Sequence, residues 1–224
     1  MEQAVHTKPY KGISMTGPIA KWYASNTRKS MAEFEALARR IAGEIPANAR
    51  VLEVAPGPGY FAIELAKLGP RQITGVDISP TFVEIARRNA REAGVAVDFR
   101  LGNASGLPFK SGSFDFIFCR AAFKNFSEPA QALREMYRVL AKYGRALIID
   151  LRKDASAASI DAAVEQMRLG AVNKAITRLT FRHLLLKRAY TREDFERFAA
   201  ETKFEWVRIE ESAIGLEVWL DRTC

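Results

Sequence analysis

The chain is poor in the residues that build stapled or metal-bound domains. Of its 224 residues only two are cysteine and two are histidine. Cys119 sits inside an apolar run and Cys224 is terminal, so no disulfide framework is expected. Two separated cysteines and two histidines also argue against a structural zinc site. No stretch reaches the roughly 18 uninterrupted apolar residues that a membrane span requires. The opening MEQAVHTKPYKGISMTG lacks the apolar centre of a secretory leader, and a cytoplasmic protein is expected. No repeat or low-complexity segment stands out.

What is present is ordinary in amount. Hydrophobic residues make up 48% and charged residues 27%, enough for one sizeable domain with a full core. Lysine and arginine outnumber the acids, giving a net charge of +8. Such a balance permits attraction to nucleic acid, anionic lipid or an acidic substrate and selects none of them.

Apolar periodicity organises the chain. Residues 1 to 16 read as a loose arm or flap. Ile19 to Ile45 reads as helix, stopped by Pro46. Strands are expected at Arg50–Ala55, Gln72–Val76, Val95–Leu101, Ser113–Cys119 and Arg145–Leu151, the last a near-continuous apolar run of the doubly buried kind. Helices are expected between them at Tyr60–Leu68, Pro80–Ala93 and Pro129–Ala141, with Ser79 as N-cap and Pro80 in the first turn of the second. Strands alternating with helices predict a doubly wound parallel sheet. Residues 156 to 188 then read as helix throughout. Thr191 caps a further helix whose Glu193 and Asp194 suit its positive end. Phe204–Glu210 and Ala213–Leu220 close the chain as strands. The chain therefore reads as one domain: an arm and helices over 1–46, a core over 47–151, a helical insertion over 152–190 and a closing segment over 191–224.

The densest local signal is VLEVAPGPGYFAIELAKLG, residues 51 to 69. In an open parallel sheet, ligands bind beyond the carboxyl ends of the strands where strand order reverses. Residues 55 to 59 form the first strand-to-helix turn and fall at such a point. Gly57 and Gly59 let a ligand lie against the backbone. Pro56 and Pro58 stiffen the turn and remove two N–H donors, which a phosphate site needs. No Lys-Ser/Thr pair follows, as a P-loop requires. Glu53 would repel a phosphate and attract an ammonium or sulfonium. Asp77, at the tip of the second strand, can accept both hydroxyls of a ribose. Asn103 follows the third strand, where its amide can read an adenine edge beside the Ala104 N–H. The ligand so described is a cationic adenosine without phosphates, S-adenosyl-L-methionine.

These motifs resemble the class I S-adenosylmethionine-dependent methyltransferases. The family's acid-x-G-x-G-x-G pattern stands here as EVAPGPG, with Ala55 in place of the first glycine. The ribose acid matches Asp77 in GVDIS, and the adenine loop matches Asn103-Ala104. The fourth-strand signature matches SFDFIFC, followed by ALREMYRVLAKYGRALIID, where Lys142-Tyr143-Gly144-Arg145 replaces the usual KPGG. The likeness covers about residues 45 to 151. It implies a Rossmann-like sheet of seven strands, mostly parallel with an antiparallel final strand, N-terminal helices and a helical insertion after strand five. It also implies transfer of a methyl group to a small-molecule or lipid-like acceptor. The cofactor set is completed by Tyr23, Ile78 beside Asp77, and Arg120 after the fourth strand. Within the family, CRAAFKNFSEPAQALREMYRVL is similar to the ubiquinone/menaquinone C-methyltransferase group, with Phe123-Lys124-Asn125-Phe126 in place of Leu-Arg-Asn-Val.

The acceptor site is less legible. An O- or C-acceptor needs a base, and Asp150, ending strand five, is the candidate. Lys124 is the candidate for holding an acidic or enolate-bearing acceptor. Tyr23 and Phe123 could face the sulfonium as cation–π partners or simply pack in the core. His183, alone on a helix, reads as structural, and His6 lies in the arm. The insertion carries Arg168, Lys174, Arg178, Arg182, Lys187, Arg188 and Arg192 with no acid between Glu165 and Glu193. Lys174, Arg178 and Arg182 share a helical face opposite Val172, Ile176 and Leu179. This predicts an amphipathic lid with a solvated basic face, or an interfacial helix that docks on anionic membrane. Nucleic acid is not expected as a partner, for no aromatic-basic module is present. The alternative function is a cofactor-binding regulatory or RNA-associated module without turnover. Oligomeric state is left open.

Overall fold

A computed structural model describes residues 10–12, 14–167 and 170–223, with backbone alone at 171 and 172. His6, Arg168, Cys224 and the side chain of Val172 lie outside the described residues.

The N-terminal helical run is broken in two: α1 (Gly17–Thr27) and α2 (Met31–Glu44) flank a 3₁₀ turn at Arg28–Ser30. Asn26 and Thr27 at the end of α1 and Ser30 of the turn are poor helix interior residues, because their side chains compete for backbone groups. The two halves also bury different faces. Ala20 and Ala24 of α1 pack with Phe82 and Ile85, whereas Ala38 and Ile41 of α2 join the cluster of Phe61, Leu65 and Phe118.

The core then runs β1 (Arg50–Val54), α3 (Tyr60–Ala66), β2 (Gln72–Asp77), α4 (Pro80–Glu92), β3 (Asp98–Leu101), β4 (Phe114–Arg120), α5 (Pro129–Val139) and β5 (Leu140–Leu151). Ser79 caps α4 by accepting from the Phe82 N–H at 3.2 Å, and Pro80 occupies its first turn. On α5, Ala132, Leu133, Met136 and Val139 form the buried stripe that lies on the sheet. Beyond β5 the insertion is not one helix. It is α6 (Ala157–Gln166), α7 (Ala171–Thr180), a π turn at Phe181–Leu185 and the short α8 (Leu186–Arg188). Thr191 and Asp194 form a reciprocal capping box that starts α9 (Arg192–Ala200). β6 (Trp206–Glu211) and β7 (Gly215–Asp221) finish the chain.

The seven strands are ordered β3-β2-β1-β4-β5-β7-β6. β1 through β5 pair in parallel, and β7 enters antiparallel between β5 and β6. The order reverses between β1 and β4, which puts the binding crevice beyond their carboxyl ends.

Candidate active site

At the exit of β1 the chain makes the turn Ala55–Gly59. Ala55 and Gly57 take left-handed φ values of 57° and 56°, and Gly59 takes 79°. Each amide that the prolines leave is already used. The Ala55 N–H donates to the Val76 carbonyl at 2.8 Å, Gly57 to Asp77 Oδ2 at 3.0 Å and Gly59 to the Pro56 carbonyl at 3.0 Å. The turn therefore offers no backbone donor to a phosphate.

The two glycines are needed for different reasons. A Cβ on Gly57 would meet nothing within 4 Å, so this residue faces open space. A Cβ on Gly59 would stand 2.6 Å from Phe99 Cζ and 3.0 Å from Ala86 Cβ. Gly59 is thus glycine so that α4 and β3 can pack against the turn, while Gly57 leaves its side of the turn open.

Two carboxylates flank the turn. Glu53 is buried and accepts from the Ala62 N–H at 3.1 Å, in the first turn of α3. Burial pushes its carboxyl up to about 8, against the lowering influence of that N–H and of Arg120. Asp77 is also buried; its Oδ1 accepts from the Ser79 N–H at 2.8 Å while Oδ2 holds Gly57. Burial pushes Asp77 up to about 6 despite these donors. Two buried carboxylates, open space at Gly57 and no amide to spare suit a cationic nucleoside.

The remaining predicted residues divide. Ile78, next to Asp77, is exposed. Asn103 Oδ1 accepts from the Ser105 N–H at 3.1 Å, shaping the loop after β3, and Ala104 is buried against the core. Tyr23 packs edge-on against Phe82 at 5.7 Å. Arg120 is turned to α2, 3.2 Å from Glu33 and 4.8 Å above the Phe34 ring. Phe123 is fully buried and stacked on Phe195 at 5.1 Å, which makes it core packing. Lys124 and Asp150 are bonded to one another. The ammonium lies 2.8 Å from Asp150 Oδ1, and Asp150 Oδ2 accepts the Lys124 backbone N–H at 2.9 Å. His183 is exposed on the π turn.

The basic stripe of α7 is also reversed from expectation. Lys174 and Arg178 pair with Glu165, and Arg182 pairs with Asp161, both acids on α6. Ile176 and Leu179 are left 58% and 61% exposed. Tyr190, absent from the sequence reading, stands beyond β5 with its ring 5.0 Å from Phe198 and 6.0 Å from Phe123. It carries no sequence signal beyond its place before the Thr191 cap.

A parallel sheet with β7 inserted antiparallel, and an acid-flanked glycine turn at its reversal point, defines the class I S-adenosylmethionine-dependent methyltransferase fold. Residues 52–148 match the protein-family model described as a methyltransferase domain. Demethylmenaquinone methyltransferase of Deinococcus radiodurans is 36% identical over 137 residues, covering 61% of this chain and 51% of that protein. Ubiquinone biosynthesis O-methyltransferase of Xanthomonas axonopodis pv. citri is 33% identical over 113 residues, covering 50% of this chain and 47% of that protein. The chain thus spans about half the length of these curated relatives. A solved structure from Methanococcus maripaludis matches with a TM-score of 0.77 at 20% identity, covering 97% of this chain and 98% of its own, which shows the shared fold. Over residues 52–148 the chain is similar to a methyltransferase domain, and it shares the fold of the Methanococcus maripaludis structure. No helix among the described residues is long and apolar enough to cross a membrane.

Proposed function

We propose that the protein transfers a methyl group from S-adenosyl-L-methionine to a hydroxylated aromatic or quinone-type small molecule. The observation that carries the cofactor half is the Ala55–Gly59 turn, with every amide committed and a carboxylate on either side. The acceptor half rests on relatives named for menaquinone and ubiquinone biosynthesis.

The cofactor supplies an already activated methyl on its sulfonium, so the chain's task is alignment and exclusion of water. Ionised Glu53 would hold the amino group, Asp77 the ribose hydroxyls, and Ile78 would cover the ring. Asn103 and the Ala104 N–H would read the adenine edge, with Gly57 giving the backbone room. Asp150 already accepts from Lys124 Nζ, the Lys124 N–H and the Leu151 N–H, and this reading makes the pair a fixed floor beside the acceptor. A cavity in the insertion, lined by Ile160, Leu186, Lys153, Arg182 and Lys187, offers mixed apolar and basic walls for a lipid-like acceptor with an acidic oxygen.

A peripheral membrane contact fits the same acceptor class. What supports it is the exposed apolar face of Ile176, Leu179 and Leu184, with the neighbouring cations paired to α6. Contact by that face would depend on apolar area more than on lipid charge.

The deciding experiment is incubation of the protein with methyl-labelled cofactor and a panel of demethylated naphthoquinols and catechols, read by mass spectrometry. Label on one of these classes is expected. Cofactor binding without labelled product across the panel would favour a regulatory module.

A further inference from the structure

A second recess lies at the other end of the sheet, on the corner made by β5, β7 and β6. Arg145 of β5 stands opposite Asp221 of β7, and Asp221 stands opposite Trp206 of β6. Two residues along β7, Trp219 stands opposite Arg208. Strand alternation therefore puts all five side chains on one face. α2 packs Ala38 and Ile41 in the cluster with Trp219 but ends at Glu44, and Trp206 is left 64% exposed. The five residues line a recess of about 190 Å³. Pockets for drug-sized ligands start near ~300 Å³, so this one fits a single fused ring system. Arg145 lies about 20 Å before Leu151 along β5, which separates the recess from the crevice beyond the carboxyl ends of the strands.

The polar groups of this recess are uncommitted. Asp221 Oδ1 is buried without a hydrogen-bond partner, and Arg145 Nε stands 3.6 Å from it, beyond hydrogen-bond reach. Neither Arg145 nor Arg208 donates a side-chain hydrogen bond among the described residues; their further acids are Glu44 at 3.6 Å and Glu210 at 3.3 Å. Arg40, Arg50, Arg87 and Arg138, by contrast, each donate at 3.0 Å or less. A buried acceptor without a donor is costly to keep, and a ligand N–H at that point would satisfy it.

The walls are planar. The Arg145 and Arg208 guanidiniums lie 4.5 Å and 5.6 Å from the Trp219 ring centroid, so they cover the buried indole. Trp206 adds an exposed indole on the edge strand. Nucleobases stack on aromatic rings and on guanidinium planes alike. Asp221, Glu44 and Glu210 balance the charge of the two guanidiniums. The corner therefore selects a ring by its shape and its edge of donors and acceptors, and not by net charge.

We propose that the recess of Arg145, Trp206, Arg208, Trp219 and Asp221 binds a guanine-type purine base. The base stacks on Trp206, an N–H of its edge donates to Asp221 Oδ1, and a guanidinium donates to its ring acceptors. Guanine matches because it offers O6 and N7 to an arginine and N–H groups to a carboxylate. The site is independent of the methyltransferase reading of the crevice.

The test uses the full chain, guanosine as probe, and calorimetry with tryptophan fluorescence as readouts. Guanosine should bind and quench tryptophan emission, equally with and without S-adenosylhomocysteine present. Trp206→Leu and the shape-preserving Asp221→Asn should each weaken guanosine roughly tenfold, the order set by one stacked base or one hydrogen bond to a charged group. Thermal unfolding of Trp206→Leu should match the parent, because the ring it removes is exposed. 2-Naphthoate, a planar anion without the donor–acceptor edge, should bind at least about tenfold more weakly than guanosine. A single-stranded hexaribonucleotide containing guanosine separates the two sources of the base: tighter binding than guanosine points to RNA, equal or weaker binding to a free purine, and either supports the site where it depends on Trp206 and Asp221. No binding of guanosine or the oligonucleotide would overturn the proposal. So would unchanged affinity in either variant, or 2-naphthoate binding as tightly as guanosine with the same dependence on Trp206.

Discussion

The Lys124 ammonium and the Asp150 carboxylate lie 2.8 Å apart with side-chain exposures of 6% and 2%, joining the 3₁₀ turn after β4 to the end of β5. A buried ion pair is costly to form and more costly to halve, because removal of one partner strands the other charge. Lys124→Met and Asp150→Leu should each destabilise the protein by about 3–5 kcal/mol. The double substitution should lose much less than the sum. Urea unfolding of the three variants gives the coupling energy. A floor-setting role also predicts that any folded Asp150→Asn protein keeps its affinity for S-adenosylhomocysteine. Normal stability with abolished turnover in that variant would favour Asp150 as a base.

The two glycines of the turn should separate stability from binding. Gly59→Ala imposes a left-handed alanine and drives a methyl into Phe99 and Ala86, so a loss of about 2–4 kcal/mol is expected. Gly57→Ala carries only the backbone strain, about 1 kcal/mol, yet its methyl enters the open crevice. Calorimetry should therefore show weakened cofactor binding by a well-folded Gly57→Ala protein. At Ala55, already left-handed, the change to glycine should raise stability by about 1 kcal/mol. A Gly57→Ala protein that binds cofactor normally would remove the crevice from above this residue.

Much of this site was legible because its chemistry is local. Ser79-Pro80, the Thr191 cap and the Pro-Gly turn each act on the next few residues, whatever the rest of the chain does. The features that were not legible depend on distant partners. Lys124 and Asp150 are 26 residues apart and meet only because β4 and β5 are neighbours. The α7 stripe shows cations on one face, and nothing within α7 says that Asp161 and Glu165 of α6 will claim them. The contact of Lys11 with Tyr190 has no periodicity to read, since it is a single side-chain hydrogen bond across 179 positions.

The proposed contact of Glu53 with the cofactor's amino group predicts an affinity that depends on pH. In the unliganded fold its carboxyl is pushed up to about 8, above its ordinary value. Its folded-state stabilisation is therefore full below the ordinary carboxylate range and is lost as pH rises through about 8. A cationic amino group favours the ionised form, so binding below pH 8 must expel a proton. Affinity should rise with pH up to that value and then level off. Calorimetry at pH 7 in two buffers of different ionisation enthalpy should show proton release, absent in Glu53→Gln. That variant should also bind more weakly by about 1.5–3 kcal/mol, the range for a hydrogen bond to a charged group. Proton uptake at pH 7 would contradict the assignment.

The reversed face of α7 changes what a membrane assay should read. A basic outer face would bind anionic vesicles, release in salt and ignore neutral lipid. Here Lys174, Arg178 and Arg182 are held by α6, and the outward groups are Ile176, Leu179 and Leu184. Apolar insertion is set by the area buried, at about 25 cal/mol per Å², and is nearly indifferent to salt. In liposome flotation the protein should therefore bind phosphatidylcholine vesicles almost as well as vesicles containing phosphatidylserine, with little loss when salt is raised. Ile176→Glu with Leu179→Glu should abolish flotation and leave S-adenosylhomocysteine affinity unchanged, since both side chains are exposed on α7. Binding confined to anionic vesicles and lost in salt would mean that the α6–α7 ion pairs open at the membrane and that the cations, not the apolar face, make the contact.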